Sequence, residues 1–307
     1  MSRRFGCEFE FALDSVSREE FKNYFASSIH SNHPNQKLLE FETPRAWSFK
    51  PEHCGVELTT PVLEATQSNL EIVKNVLNGV RDQVRGRRTI NRSCGLHVHI
   101  DVADLSNHEI KNMLLIFYNF ERVILKLQPR SRTGNQYCQA FNDNIGWISS
   151  YDPDSSSRNN SGVGFLMAHS NGISLQDLDY WGAIEVRYGA GTISGSKAYG
   201  WIRMLLILIE IAKNYRGQLT PRRIDSVEEL VSFIQTNLTS CEWLENQKAR
   251  CCGWISRRAS AIAGSIVDYA ERRTRRSLGN PAAEIEAVAE QAVCDVGGDE
   301  EETADEE

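Results

Sequence analysis

Strict alternation of apolar and polar residues marks four short stretches of this chain, and helical spacing marks most of the rest. In Arg3-Arg-Phe-Gly-Cys-Glu-Phe-Glu-Phe11, residues two apart face the same way in a strand, so Cys7, Phe9 and Phe11 share one side and Glu8 and Glu10 the other. Gly55-Val-Glu-Leu-Thr-Thr-Pro61 places Glu57 opposite Val56 and Leu58, and Cys94-Gly-Leu-His-Val-His-Ile-Asp101 places His97, His99 and Asp101 opposite Leu96, Val98 and Ile100. Ala183-Ile-Glu-Val-Arg-Tyr188 sets Glu185 and Arg187 against Ile184, Val186 and Tyr188. Weaker strand patterns fall near 38–43 and 46–50.

Helices are predicted between and after the strands. Ser17 with Glu20 makes a capping box for a helix through about His30. Leu70, Val73, Val76, Leu77, Val80 and Val84 give helical spacing over about 68–85, and Ser106 with Glu109 opens a long helix that ends before Pro129. Further helices are predicted over about 196–214, 226–238, 241–277 and 282–293. The polar stretch 149–162 reads as a loop with the composition of a mobile lid. This is an α+β pattern with a helical C-terminal third: a folded unit over 1–278, then a short helix and an acidic tail over 279–307.

Composition narrows the class. With 307 residues and 41% hydrophobic content, the chain can bury one large core or two modest ones. Its most apolar run, Met204 to Ile209, falls far short of the ~20 residues that span a bilayer. The eight cysteines form no Cys-x-x-Cys pair, so reduced thiols in a cytoplasmic protein are expected. Residues 299–307 hold seven acids; taken from 41 acids in all, they leave 34 against 34 Lys and Arg. The net charge of -7 therefore belongs to the tail, and the neutral body, despite the basic run Arg272 to Arg276, gives no nucleic-acid footprint.

The chemistry lies in the polar strand faces. If the four strands share a sheet, one face gathers Glu8, Glu10, Glu57, Glu185, His97, His99 and Arg187. Carboxylates gathered in this way repel one another without cations, and oxygen-rich sites suit Mg2+ or Mn2+, which bring phosphate oxygens with them. A Glu185–Arg187 salt bridge is the plain alternative for that pair. A divalent-metal hydrolase built on His97-x-His99-x-Asp101 is a rival, although it would need further His ligands than His30, His33, His53, His108 and His169 offer. A binding module of the same fold without catalysis is a second rival.

Five motifs in order resemble the amidoligase family, carboxylate–amine ligases related to glutamine synthetase and glutamate–cysteine ligase. They are Gly6-Cys-Glu-Phe-Glu10, Gly55 to Pro61, Cys94 to His99, Ser131-Arg132 with Asn135 and Tyr137, and Ile184 to Arg187, all within residues 5–215. The resemblance implies a curved antiparallel sheet of glutamine-synthetase type whose concave face holds ATP and Mg2+ or Mn2+. It implies that Glu8, His97 and Glu185 hold one metal and Glu10 and Glu57 a second. Arg187, Arg132 and His99 become the catalytic set, with Arg187 and Lys50 as nucleotide contacts. The activity implied joins an amine to a carboxylate, in an amino acid, peptide or protein, through an acyl-phosphate. The chain departs from the family before the Glu57 motif, where Glu52-His-Cys54 replaces the usual Asp and Ser.

Overall fold

The computed structural model describes residues 3–133, 136–141, 146–149, 151–155, 170–238 and 242–277. In β1 (Arg4–Phe11) the odd residues from Phe5 to Phe11 are buried and the even residues are not, so one face is apolar and the other carries Arg4, Glu8 and Glu10. An apolar and a polar face also alternate along β3 (Trp47–Glu52), β4 (Gly55–Thr59), β6 (Gly95–Asp101) and β8 (Ala183–Ala190), although here Ser48, Glu57, His97 and Glu185 on the polar face are buried as well. With β2 (Leu38–Leu39), β5 (Leu63–Glu64) and β7 (Ile173–Ser174) they make one eight-stranded sheet. Its order is β2-β3-β4-β1-β6-β8-β7, with β5 paired to β1 beside Arg4 and Phe5. All pairings are antiparallel except β2 with β3.

Helices bury the apolar face. The buried side chains of α1 (Arg18–Asn32), α2 (Gln67–Gln83), α3 (Asn107–Lys126) and α6 (Gly195–Asn214) join Phe9, Leu58, Val98 and Val186 in one core. Met204 to Ile209 is fully inside it, and no described helix is long and apolar enough to cross a membrane. Short helices α4 (Gly146–Ser149) and α5 (Leu178–Trp181) precede β8, and α7 (Val227–Asn237) and α8 (Glu242–Ser277) follow α6. Gly200 lets α8 approach α6 closely, since a Cβ there would lie 2.2 Å from the Trp254 indole nitrogen. Arg203 of α6 ties the contact by donating to Gln247 Oε1 and the Arg250 carbonyl, each at 3.1 Å.

The helix starts follow their caps. Ser106 and Glu109 form the full reciprocal box. Ser17 accepts from the Glu20 amide, but the Glu20 carboxylate turns instead to Tyr24 and to Arg87, the latter at 2.6 Å, so only half of that box forms. The strand expected over 38–43 stops at Leu39. The chain after it runs into Pro44, whose carbonyl accepts from the Val62 amide, and Pro44 has no amide hydrogen to donate to a ladder. Most of the expected lid at 149–162, Asn135, the expected helix over 282–293 and the acidic tail lie outside the described residues.

The β3–β4 hairpin sets the register of Glu57 and depends on Gly55. Its φ is +145°, and a Cβ would meet the Phe11 carbonyl oxygen at 2.5 Å. Gly55→Ala is expected to destabilise the protein by about 1–3 kcal/mol in urea unfolding, the scale of forced backbone strain; unchanged stability would mean that the turn can relax.

Candidate active site

Register brings the polar side chains together. In the ladder Glu8 lies opposite His97 on one side and Thr59 on the other, Glu10 opposite Glu57, His99 opposite Glu185 and Lys50 opposite Glu57. Between Leu96 and Val98 the β6–β8 register shifts by one residue, so β8 bulges across from His97 at Arg187 and Tyr188. Such bulges re-aim side chains beside functional sites. Here the Arg187 backbone is held from two sides, its amide donating to the Gly172 carbonyl at 2.8 Å and its carbonyl accepting from Arg132 at 2.6 Å.

Glu8 is the hub. Its two oxygens accept from His97 Nδ1 and His99 Nε2, each at 3.1 Å. An ionised carboxylate only accepts, so the pairing places a proton on each of those nitrogens. Burial alone would raise the Glu8 carboxyl, but the two imidazole hydrogen bonds prevail and hold it well below the usual carboxylate range. Burial alone would lower the His99 imidazole; Glu8 and Glu185 more than offset it and push it up to about 9. His97 Nδ1 also lies 3.5 Å from Glu185, and its Nε2 lies 3.8 Å from Glu10.

The other carboxylates have their own cations or donors. Glu185 pairs with Arg187 within β8, so the salt bridge suggested by their spacing does form. Glu57 is buried and takes Lys50 at 3.0 Å and the Thr59 hydroxyl at 3.0 Å. Burial and the nearby Glu8 charge still push its carboxyl up to about 7. Glu10 accepts the Gly95 amide at 2.5 Å. Arg132 is 1% exposed, and its Nε has no hydrogen-bond partner among the described residues.

All nine residues singled out by sequence therefore sit on this face or, for Arg132, against its edge. Glu8, His99 and Glu185 offer ligand atoms all within 4.8 Å of one another. An octahedral cation with bonds of about 2.0–2.1 Å needs ligand atoms roughly 3–4 Å apart, so a carboxylate–imidazole set of this size fits a divalent ion after small shifts. His30, His33, His53 and His108 are not in that group. Thr59 escaped the sequence reading although it alternates with Glu57, and Asp177, in a turn before α5, carried no strand signal at all.

The family model described as "Putative amidoligase enzyme" matches residues 1–208, and the chain belongs to that family. No curated protein matches the chain. Among solved structures, a complex between the prokaryotic ubiquitin-like protein Pup and its ligase PafA aligns at 11% identity and a TM-score of 0.45, covering 91% of this chain and 70% of that one. A structure described as a novel glutamine synthase homolog aligns at 14% identity and a TM-score of 0.43, covering 85% of this chain and 67% of that one.

The raised His99 value makes a pH prediction. A histidine whose folded value lies above its usual 6.5 adds stability that is fully present below 6.5 and lost as pH rises through about 9. Glu57, raised to about 7, acts in the same direction at lower pH. In EDTA the melting temperature should fall between pH 6.5 and 9, and His99→Gln should flatten that fall; an unchanged slope in the variant would assign it to other groups.

Proposed function

We propose that this protein is an ATP-dependent carboxylate–amine ligase that works through an acyl-phosphate on a curved sheet of glutamine-synthetase type. Membership of an amidoligase family supports the ligase class. The observation that carries the ATP reading is Arg132, a guanidinium buried to 1% exposure with Nε unpartnered among the described residues, beside a face of four carboxylates. Burial pulls its pKa down, so the site holds a cation that lacks a full set of acceptors. A phosphate supplies what is missing, because a guanidinium matches phosphate oxygens in a planar fork.

Glu8, Glu185 and the two histidines would hold one divalent cation, Mg2+ or Mn2+, and Glu10 and Glu57 a second. Such cations supply neutralisation of phosphate charge. The protein's own part is positioning. Arg187, now on Glu185, turns to the transferring phosphoryl group, Arg132 grips a phosphate or the substrate carboxylate, and Lys50 lies within reach of the nucleotide. The carboxylate oxygen attacks the γ-phosphorus and ADP leaves. The amine nitrogen, freed of its ammonium proton, then attacks the acyl carbon; phosphate leaves with the carboxylate oxygen it captured, and the nitrogen loses a second proton to phosphate or solvent.

Phosphate release from ATP, screened over carboxylates and amines with mass spectrometry of products, tests the reaction class. A carboxylate labelled with 18O should pass one label to the released phosphate; unlabelled phosphate would exclude the acyl-phosphate. Arg187→Lys keeps the charge but loses the two-pronged donor set. Its turnover should fall about 10²–10³-fold with nucleotide affinity little changed, by analogy with removing an oxyanion-hole donor. A folded variant with near-normal turnover would leave Arg187 as the salt-bridge partner of Glu185 and nothing more.

A further inference from the structure

Beside Glu8 and His99, toward the start of β1, a cavity of about 590 Å³ opens to solvent. Its charged lining is mostly claimed. Arg4 donates to Asp101 at 2.8 Å, Glu42 takes Lys50 at 2.8 Å, and Glu8 holds the two imidazoles. Asp177 differs. It lines the cavity, and its carboxylate has neither a hydrogen bond nor an ion pair among the described residues. It acts on His99 only through its field.

The wall beside it is apolar and solvent-exposed. Val62 and Trp181 both line the cavity, at 48% and 77% exposure, and Tyr180, next to Trp181, is 90% exposed. An indole held open to water costs nothing to uncover and attracts cations over its face. Asp177 thus brings to the cavity a carboxylate that shares the field of His99 and has no direct hydrogen-bond or ion-pair partner among the described residues, and such a group suits a cationic ligand better than an anionic one.

We propose that this cavity binds a primary ammonium at the end of an alkyl chain, with the ammonium on Asp177 and the chain against Val62 and Trp181. The ligand is the amine partner of the ligation, an identification that rests on the ligase reading; its binding does not.

Calorimetric titration of the full chain tests the site directly. The probes are Nα-acetyl-lysine methylamide, whose one charge is the ε-ammonium, and the neutral norleucine analogue of the same shape. The lysine analogue should bind saturably and the norleucine analogue should not. Asp177→Asn should weaken the lysine analogue about tenfold, the scale of a hydrogen bond to a charged group. Trp181→Ala, at an exposed position, should weaken it several-fold without lowering the melting temperature. Equal binding of the two analogues, or no change in either variant, would overturn the proposal. n-Pentylamine separates the sources: binding as tight as the lysine analogue assigns the site to free amines, and clearly weaker binding assigns it to a polypeptide side chain. Titration of Mg–ATP into the same sample keeps the two readings apart. ATP binding without the lysine analogue defeats the cavity assignment alone, and the reverse defeats the ATP-dependent ligase reading alone.

Discussion

Four carboxylates on one face of one sheet must each find a positive partner or a donor, and the structure is arranged around that need. Glu8 stands at the centre of it. The strand that carries Glu8 lies between the strand that carries Glu57 and the strand that carries both histidines, so the sheet order itself decides which charges meet. A one-residue slip of β1 would turn Glu8 and Glu10 into the core and Phe9 out of it. The buried side chains of Cys7, Phe9 and Phe11 forbid that slip, so hydrophobic burial holds the electrostatic arrangement in register.

Imidazoles, a lysine and an arginine occupy the carboxylates, and on the ligase reading a divalent cation would displace them. A metal bound at His99 would displace the ring proton to solvent, because metal ligation requires the neutral ring. Arg187, released from Glu185, would keep its place through the backbone contacts at the β8 bulge while its side chain turned. On this account the ion pairs of the resting site are the positions that substrates and cations take over.

The sheet face was legible in the sequence because alternation is a local signal. Glu8 and Glu10 between Cys7, Phe9 and Phe11 give their direction without any knowledge of neighbours, and the same holds for His97, His99, Glu185 and Arg187. Register was not legible. Nothing in the chain announces that β8 gains one residue opposite His97, or that both imidazoles reach the two oxygens of Glu8 while also approaching Glu185. Two-residue strands such as β5 and β7 exist through pairing alone. Asp177 sits in a turn and Trp181 ends the four-residue α5, where no periodicity marks which side chains face a cavity. The Glu20 carboxylate missed its expected cap for a related reason: Tyr24 and Arg87, the latter distant in sequence, competed for it.

The central claim is that Glu8, His99 and Glu185 form a divalent-cation site at the centre of this face. Anomalous diffraction from crystals grown with Mn2+ and a non-hydrolysable ATP analogue tests it most directly. The account predicts a manganese peak within roughly 2.0–2.4 Å of all three side chains, with Arg187 displaced from Glu185. A manganese peak elsewhere, with Glu8 still hydrogen-bonded to both histidines, would contradict it.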